Sequence, residues 1–287
     1  MCPPDPNVRS SRWRSYRDVD DAVDPAALGA YMDQLAALPA VVREKSRSLG
    51  LLDLRAGDSC LDVGCGTGRE IAALAAIVGP HGRVVGVDRS EALTAAARDR
   101  DRSRDGSPRE RVSPPAPGEL IVGDAHRLPF GDAEFHACRA DRTLQHVAAP
   151  ETALAEMARV TRPGGRVVVT EFRWGLVAPS LDRAVTDHVL SMMASPGDRE
   201  EWLGHRLVEM FEAAGLTETR ATGADYTLDS PEQIAALMNL EWSVPAAVDS
   251  GVVTTAQAVA WERTLRQLAA DGEAFAGIVF QHVAGVR

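Results

Sequence analysis

Lysine is almost missing from this chain. Lys45 is the only one, arginine supplies the other basic residues, and 41 Asp and Glu against 31 Lys and Arg leave a formal net charge of −10. That balance lacks the basic face that nucleic acid or an anionic membrane requires, so neither is expected as a partner. There is no run of about 18 apolar residues of the kind that spans a membrane. The opening MCPPDPNVRSSRWRS has no apolar core of signal-peptide length. Cysteine is scarce too. Cys2, Cys60, Cys65 and Cys138 show no CxxC or other metal-ligand spacing, so no metal site is expected. The last three sit in apolar or glycine-rich surroundings and read as reduced core thiols, which suits the cytoplasm. What remains is a 287-residue chain, 45% apolar, long enough for one large or two small domains with a sizeable core.

The stretch that organises it is Leu61-Asp62-Val63-Gly64-Cys65-Gly66-Thr67-Gly68. A short apolar strand, Ser59 to Val63, runs into three alternating glycines, and a helix is expected over Arg69 to Val78. Strand, glycine turn and helix make a nucleotide-binding junction, because glycine lets the backbone turn sharply and lets a ligand approach where a Cβ would clash. The dinucleotide fingerprint GxGxxG would need a glycine at Arg69, so a nicotinamide or flavin cofactor is not indicated. Asp62, just before the glycines, suits a ligand carrying an ammonium better than one carrying a pyrophosphate. A second strand, Arg83 to Val87, ends in Asp88, 20 residues beyond Gly68. That is where a βαβ fold places the acid for ribose hydroxyls, and one carboxylate can accept from both. The competing role, capping the next helix (Glu91 to Asp99), can be filled by Ser90.

The glycine turn resembles motif I of the class I S-adenosylmethionine-dependent methyltransferases. Two further stretches extend the resemblance over about residues 50 to 222. One is Gly123-Asp124-Ala125-His126-Arg127-Leu128-Pro129-Phe130 after a third strand, Leu120 to Val122. The other is EMARVTRPGGRVVVTEF, a helix (Glu151 to Val160), a tight turn at Arg162 to Gly165 and a fifth strand (Arg166 to Phe172). The nearest group is the ubiquinone/menaquinone-biosynthesis-like methyltransferases. The resemblance implies S-adenosyl-L-methionine as cofactor, with Asp124 accepting from the adenine amino group (its plainer role is an Asx turn that closes the loop), Ala125 its backbone partner and Arg89 near the adenine. It also implies that backbone at Arg139 and Ala140, at the end of strand four (Phe135 to Ala140), meets the methionine end. His146, just beyond, is the best-placed titratable group and a candidate general base, against a plainer role in packing or hydrogen bonding. His126 reads as a loop residue. Trp13 and Tyr16 are candidate lid residues over the cofactor, or simply anchors of the amino terminus.

The expected fold is α/β: a Rossmann-like, seven-stranded, mostly parallel sheet whose last strand is antiparallel, plus a helical substrate cap. Residues 1–50 form lid helices (Pro25 to Leu38 and Ala40 to Leu52), 51–175 the cofactor core, 176–200 and 223–273 the cap, and 201–222 with 274–287 the rest of the core. Helices are expected over Leu181 to Ala194, Glu201 to Ala214, Pro231 to Val248 and Thr254 to Ala270, and strands over Thr217 to Thr222 and Ala274 to Val283. The charged, proline-rich stretch from Asp99 to Pro117 reads as a surface loop. Arg173 and Trp174 stand at the end of strand five as substrate candidates, and Arg173 could favour an anionic acceptor. Trp202, Tyr226, Met238, Trp242 and Trp261 are further candidates to line the pocket. The implied reaction is metal-free methyl transfer to an N, O or C nucleophile of a small molecule, in secondary metabolism, by a monomer or homodimer. Two alternatives stand beside it: a methyltransferase of RNA or protein, and a protein that keeps the fold without methyl transfer, as a regulatory subunit or a cyclase.

Overall fold

A computed structural model describes residues 25–104, 118–193 and 203–287. Trp13, Tyr16, Trp202, Cys2 and the loop from residue 105 to 117 lie outside the described residues.

Seven strands form one sheet: β1 (Ser59–Val63), β2 (Arg83–Asp88), β3 (Glu119–Val122), β4 (Phe135–Asp141), β5 (Thr161–Val177), β6 (Thr217–Leu228) and β7 (Phe275–Val286). Their order is β3-β2-β1-β4-β5-β7-β6. The pairs β1–β2, β1–β4, β2–β3 and β4–β5 are parallel, and β7 is the antiparallel member. The helices are α1 (Pro25–Ala37), α2 (Pro39–Leu51), α3 (Ile71–Val78), α4 (Glu91–Arg104), α5 (Pro150–Val160), α6 (Arg183–Met193), α7 (Leu207–Ala213), α8 (Pro231–Leu237), α9 (Leu240–Asp249) and α10 (Thr255–Ala270). Central strands such as β1 are buried along nearly their whole length, Asp62 included. The two-residue period of a strand divides their side chains between two cores. Leu61, Val63, Val85, Val167 and Val169 pack on one face with Leu154, Met157 and Phe211. Cys60, Val84, Ala137 and Val168 pack on the other with Ile71, Leu74 and Val78 of α3.

The described residues of Arg43–Phe172, Trp202–Gly223 and Phe280–Arg287 make one compact unit, and those of Met1–Val42, Arg173–Glu201 and Ala224–Val279 a second. In the second, Tyr31 donates to the Leu237 carbonyl at 3.2 Å and Trp261 Nε1 donates to Thr186 Oγ1 at 2.8 Å. The first also holds a buried polar chain across β5 and β7. Glu44 Oε2 lies 2.7 Å from His282 Nε2, His282 Nδ1 lies 2.9 Å from Thr170 Oγ1, and Thr170 lies 3.0 Å from Ser48 Oγ.

Several elements differ from the sequence expectation. The turn at Arg162 to Gly165 is a bulge inside β5. The register passes from Phe135↔Thr161 to Ala137↔Arg166, and the extra residues pair instead with the end of β7. Gly164 donates to the Arg287 carbonyl at 2.7 Å, and Arg287 donates to that of Gly165 at 3.0 Å. α4 continues to Arg104, where a loop was expected from Asp99. The single helix expected over Pro231 to Val248 is two, α8 and α9, because Asn239 takes the left-handed conformation at φ 45°. The expected helix from Glu201 is, among the described residues, one 3-10 turn at Leu203–His205 and the short α7.

Candidate functional site

Every candidate from the glycine turn to His146 lies in the sheet unit, at the carboxyl ends of its strands. The order reverses direction between β1 and β4, and open parallel sheets bind ligands at such a switch point. β1 ends at Val63, and the chain turns through Gly64, Gly66 and Gly68 at φ 73°, 52° and 66°. Gly64 is constrained twice, because a Cβ there would stand 2.2 Å from Thr143 Oγ1. Thr143 donates to the Val63 carbonyl at 3.2 Å, so the turn and the tip of β4 are packed directly together. The buried Thr67 hydroxyl in this turn has no protein partner.

Asp88 ties the turn to β2. Its Oδ2 accepts from the Gly66 N–H at 2.7 Å and its Oδ1 from the Ser90 N–H at 2.9 Å. Ser90 Oγ accepts from Leu93 at 3.0 Å and caps α4, which leaves Asp88 out of that task. Arg89 beside it is exposed. Beyond β3, Asp124 is also exposed; its Oδ1 accepts from the His126 N–H at 2.9 Å and lies 2.6 Å from His126 Nδ1. His126 Nε2 accepts from Ala149 at 3.1 Å, so the neutral ring carries its proton on Nδ1 and donates it to Asp124. The His126 backbone N–H, more than the ring, holds the Asp124 carboxyl below the usual carboxylate range. Ala125, between them, is half-buried.

The ends of β1 and β4 are built otherwise. Asp62 and Arg139 face each other in register and are almost fully buried. Arg139 Nη1 lies 3.3 Å from Asp62 Oδ1 and Nη2 lies 2.9 Å from Asp141 Oδ2, and Arg142 Nε lies 3.1 Å from Asp141 Oδ1. Burial lifts the Asp62 carboxyl above its ordinary range in spite of Arg139. Burial also works against the Asp141 charge, yet Arg142 and Arg139 together bring that carboxyl down to about 2. Both carboxylates are therefore engaged by guanidinium groups from within the protein. Arg142 takes a left-handed conformation, φ 55°, which an arginine adopts only under local constraint.

His146 closes a 3-10 turn, Leu144–His146, and its Nε2 lies 3.1 Å from Gln145 Nε2.

The candidates beyond Phe172 belong to the other unit. Arg173 is exposed, and Trp174, Tyr226 and Trp242 are half-buried. Met238 and Trp261, expected as pocket-lining residues, are 0% and 3% exposed and belong to the core of that unit. Their helical spacing marked a buried face, and the indole N–H of Trp261 is spent on Thr186.

Two features at the sheet ends escaped the sequence reading. Lys45 and Glu70 form an ion pair between α2 and the residue before α3. Glu171, fully buried on β5, has one carboxyl oxygen, Oε2, with no protein partner. An available signal was that Glu171 follows Val167 and Val169 at strand spacing on an otherwise apolar face.

Comparison with known proteins bears on this geometry. Residues 61–169 match a family model described as a methyltransferase domain. A 37.1 kDa protein of a Streptomyces fradiae transposon, described as uncharacterized, is 36% identical over 254 residues, covering 87% of this chain and 68% of that one. The 27-O-demethylrifamycin SV methyltransferase of Amycolatopsis mediterranei is 33% identical over 183 residues, 63% of this chain and 62% of that one. The chain belongs to the class I S-adenosylmethionine-dependent methyltransferases. Within them it stands with the ubiquinone/menaquinone group. UbiE of Pseudomonas putida is 35% identical over 130 residues, 45% of this chain but only 47% of that enzyme. Among solved structures, the [4+2]-cyclase SpnF shares the fold of this methyltransferase with a TM-score of 0.53 at 22% identity, covering 86% of this chain and 82% of that one. Among the described residues, no helix of the methyltransferase is long and apolar enough to cross a membrane.

Proposed function

We propose that this methyltransferase moves a methyl group from S-adenosylmethionine to a small organic acceptor in natural-product metabolism. The carrying observation is the glycine turn with Asp88 and Asp124 beside it. Three left-handed glycines stand at the switch point of the sheet, a Cβ at the first would strike Thr143, and the buried Thr67 hydroxyl has no protein partner. The left-handed backbone of this turn needs glycine, and the unpartnered Thr67 hydroxyl marks a polar position that a bound ligand would satisfy. When bound, the cofactor supplies a methyl on a sulfonium, open to in-line displacement.

The chain's own residues bind and orient. Gly64 and Gly66 let the ligand approach the backbone. Asp88, held by the Gly66 and Ser90 N–H groups, is assigned to the ribose hydroxyls. Asp124 and Ala125 take the adenine edge, with Arg89 beside it. Asp62 acts through the Arg139 pair rather than as an open acceptor, so the methionine ammonium is left to backbone carbonyls at the end of β4. His146 Nε2 already shares a hydrogen bond with the Gln145 side-chain amide, so taking a proton from an acceptor requires exchanging that bond. Catalysis then rests chiefly on alignment, which general physical chemistry allows to supply several kcal/mol of barrier lowering. Arg173, Trp174 and Trp242 are assigned to acceptor selection, and Tyr16 to the cofactor lid.

A small acceptor is supported by the net charge of −10, which disfavours RNA, and by the rifamycin and quinone acceptors in the relatives' names. Three free, buried cysteines whose thiols burial pushes up fit a reducing, cytoplasmic setting. The test is transfer of labelled methyl to a panel of phenols, quinols, amines and polyketide alcohols, with bulk tRNA and protein in parallel. Label in the organic extract supports the reading. Label in tRNA or protein alone, or cofactor binding with no transfer to any of them, contradicts it.

A further inference from the structure

Glu171 stands on β5 one residue past Thr170, which pairs with Asp141 at the tip of β4. It continues the face of Val167 and Val169, against a core that includes Leu144. There its carboxyl meets the Leu144–His146 turn. The Gln145 backbone N–H donates to Oε1 at 3.3 Å, and the Leu144 N–H adds a weaker electrostatic attraction. A carboxyl with an unmatched oxygen in a fully buried site is costly, and no basic side chain among the described residues forms an ion pair with it. For packing alone, an apolar residue would serve better. What Glu171 does achieve is to tie the segment after β4 to β5 at the level of the glycine turn.

We propose that Glu171 is a positioning residue of the methyl-transfer site: its carboxyl sets the Leu144–His146 turn, and through it Gln145 and His146, beside the cofactor. This rests on the methyltransferase reading and deepens it. Leu144 anchors the turn from below as a fully buried core residue, and Glu171 fixes its backbone. Gln145 and His146 are then held in one hydrogen-bonded arrangement at the end of β4.

The carboxyl is mainly neutral at physiological pH, because burial pushes it up to about 8, and the Gln145 N–H only partly offsets this. The other charged groups that reach it are Asp141, which opposes its ionisation, and Arg142, which favours it, both at the end of β4; His146 lies on the turn itself. Ionisation near pH 8 places a charge on the oxygen that accepts from the Gln145 N–H and close to the Leu144 N–H.

The test follows amide ¹⁵N and ¹H shifts of Leu144 and Gln145 from pH 6 to 10 in the wild type, Glu171→Gln and Glu171→Ala, with S-adenosylhomocysteine affinity by calorimetry. The expected result is a common midpoint near pH 8 for both amides in the wild type, absent in Glu171→Gln. Glu171→Gln should keep S-adenosylhomocysteine affinity within about twofold at pH 7. Glu171→Ala should shift the amides of the turn and weaken binding at least fivefold. If Glu171→Ala does not fold, the isosteric Glu171→Gln still reports through the amide titration. Unchanged amides in Glu171→Gln, or full affinity with an undisturbed turn in Glu171→Ala, would overturn the proposal. A folded wild type that binds no S-adenosylhomocysteine would instead overturn the methyltransferase reading, and the role of Glu171 with it, even where the amides titrate.

Discussion

Asp88 and Asp124, at the ends of β2 and β3, are held by backbone N–H groups and one neutral histidine. Asp62 and Asp141, at the ends of β1 and β4, are held by guanidinium groups. The Asp124 carboxyl is solvent-exposed, and the Asp88 carboxyl is anchored by two N–H groups. The second pair is neutralised from inside the sheet. On the proposed reading, one end of the site accepts hydrogen bonds from hydroxyl and amino groups of the cofactor, while at the other Arg139 ties β1 to β4. The same residue type serves both purposes, and its partners decide which.

The largest effect should come from breaking the buried chain. Arg139→Met leaves Asp62 and Asp141 buried without their shared partner, and removal of one member of such a network costs about 3–5 kcal/mol. Urea unfolding measures this; a loss under about 1 kcal/mol would mean the carboxylates find water or other partners. Next is Gly64→Ala. The new Cβ meets Thr143 at 2.2 Å with the backbone at φ 73°, so overpacking and left-handed strain should together cost about 2–4 kcal/mol. Adding Thr143→Ala should return the packing part and leave the backbone part.

The acid limb comes third. Asp141 falls from 3.8 to about 2 on folding. A depressed carboxyl contributes stability that is complete above its unfolded value and lost as pH falls through the folded one. By linkage, about 2 kcal/mol should therefore disappear between about pH 5 and pH 2. Asp141→Asn should lack this component when unfolding free energies are compared at pH 7, 5 and 3. The smallest effect belongs to an exposed pair. Arg266→Ala removes the i,i+4 bridge to Glu262 on α10 and should change stability by about 0.5 kcal/mol or less. A large change there would mean that burial is not what separates the two kinds of ion pair.

The region of Asp88 and Asp124 was legible from sequence because its chemistry is local. The glycines, the acid after β2 and the loop after β3 each sit within a few residues of the strand that presents them. The β4 and β5 region was not. Asp62 and Arg139 are 77 residues apart in the chain, and only the parallel register of β1 and β4 makes them partners. Arg139 was read for its backbone, while its side chain is what organises the site. The helix boundaries show the same limit. Apolar spacing found α8 and α9 as one segment, but the left-handed Asn239 that separates them carries no mark in that spacing. Met238 and Trp261, candidates to line the pocket, are buried, and helical periodicity alone does not separate a core face from a ligand face.

Calorimetric titration of S-adenosylhomocysteine into the wild type and Asp88→Ala tests most directly the claim that the glycine turn and Asp88 form the cofactor site. Losing a carboxylate that accepts from two ribose hydroxyls, each bond to a charged group being worth about 1.5–3 kcal/mol, should weaken binding by about 100-fold or more while the variant stays folded. A folded wild type that gives no binding heat, or an Asp88→Ala variant that binds as tightly as the wild type, would contradict the account.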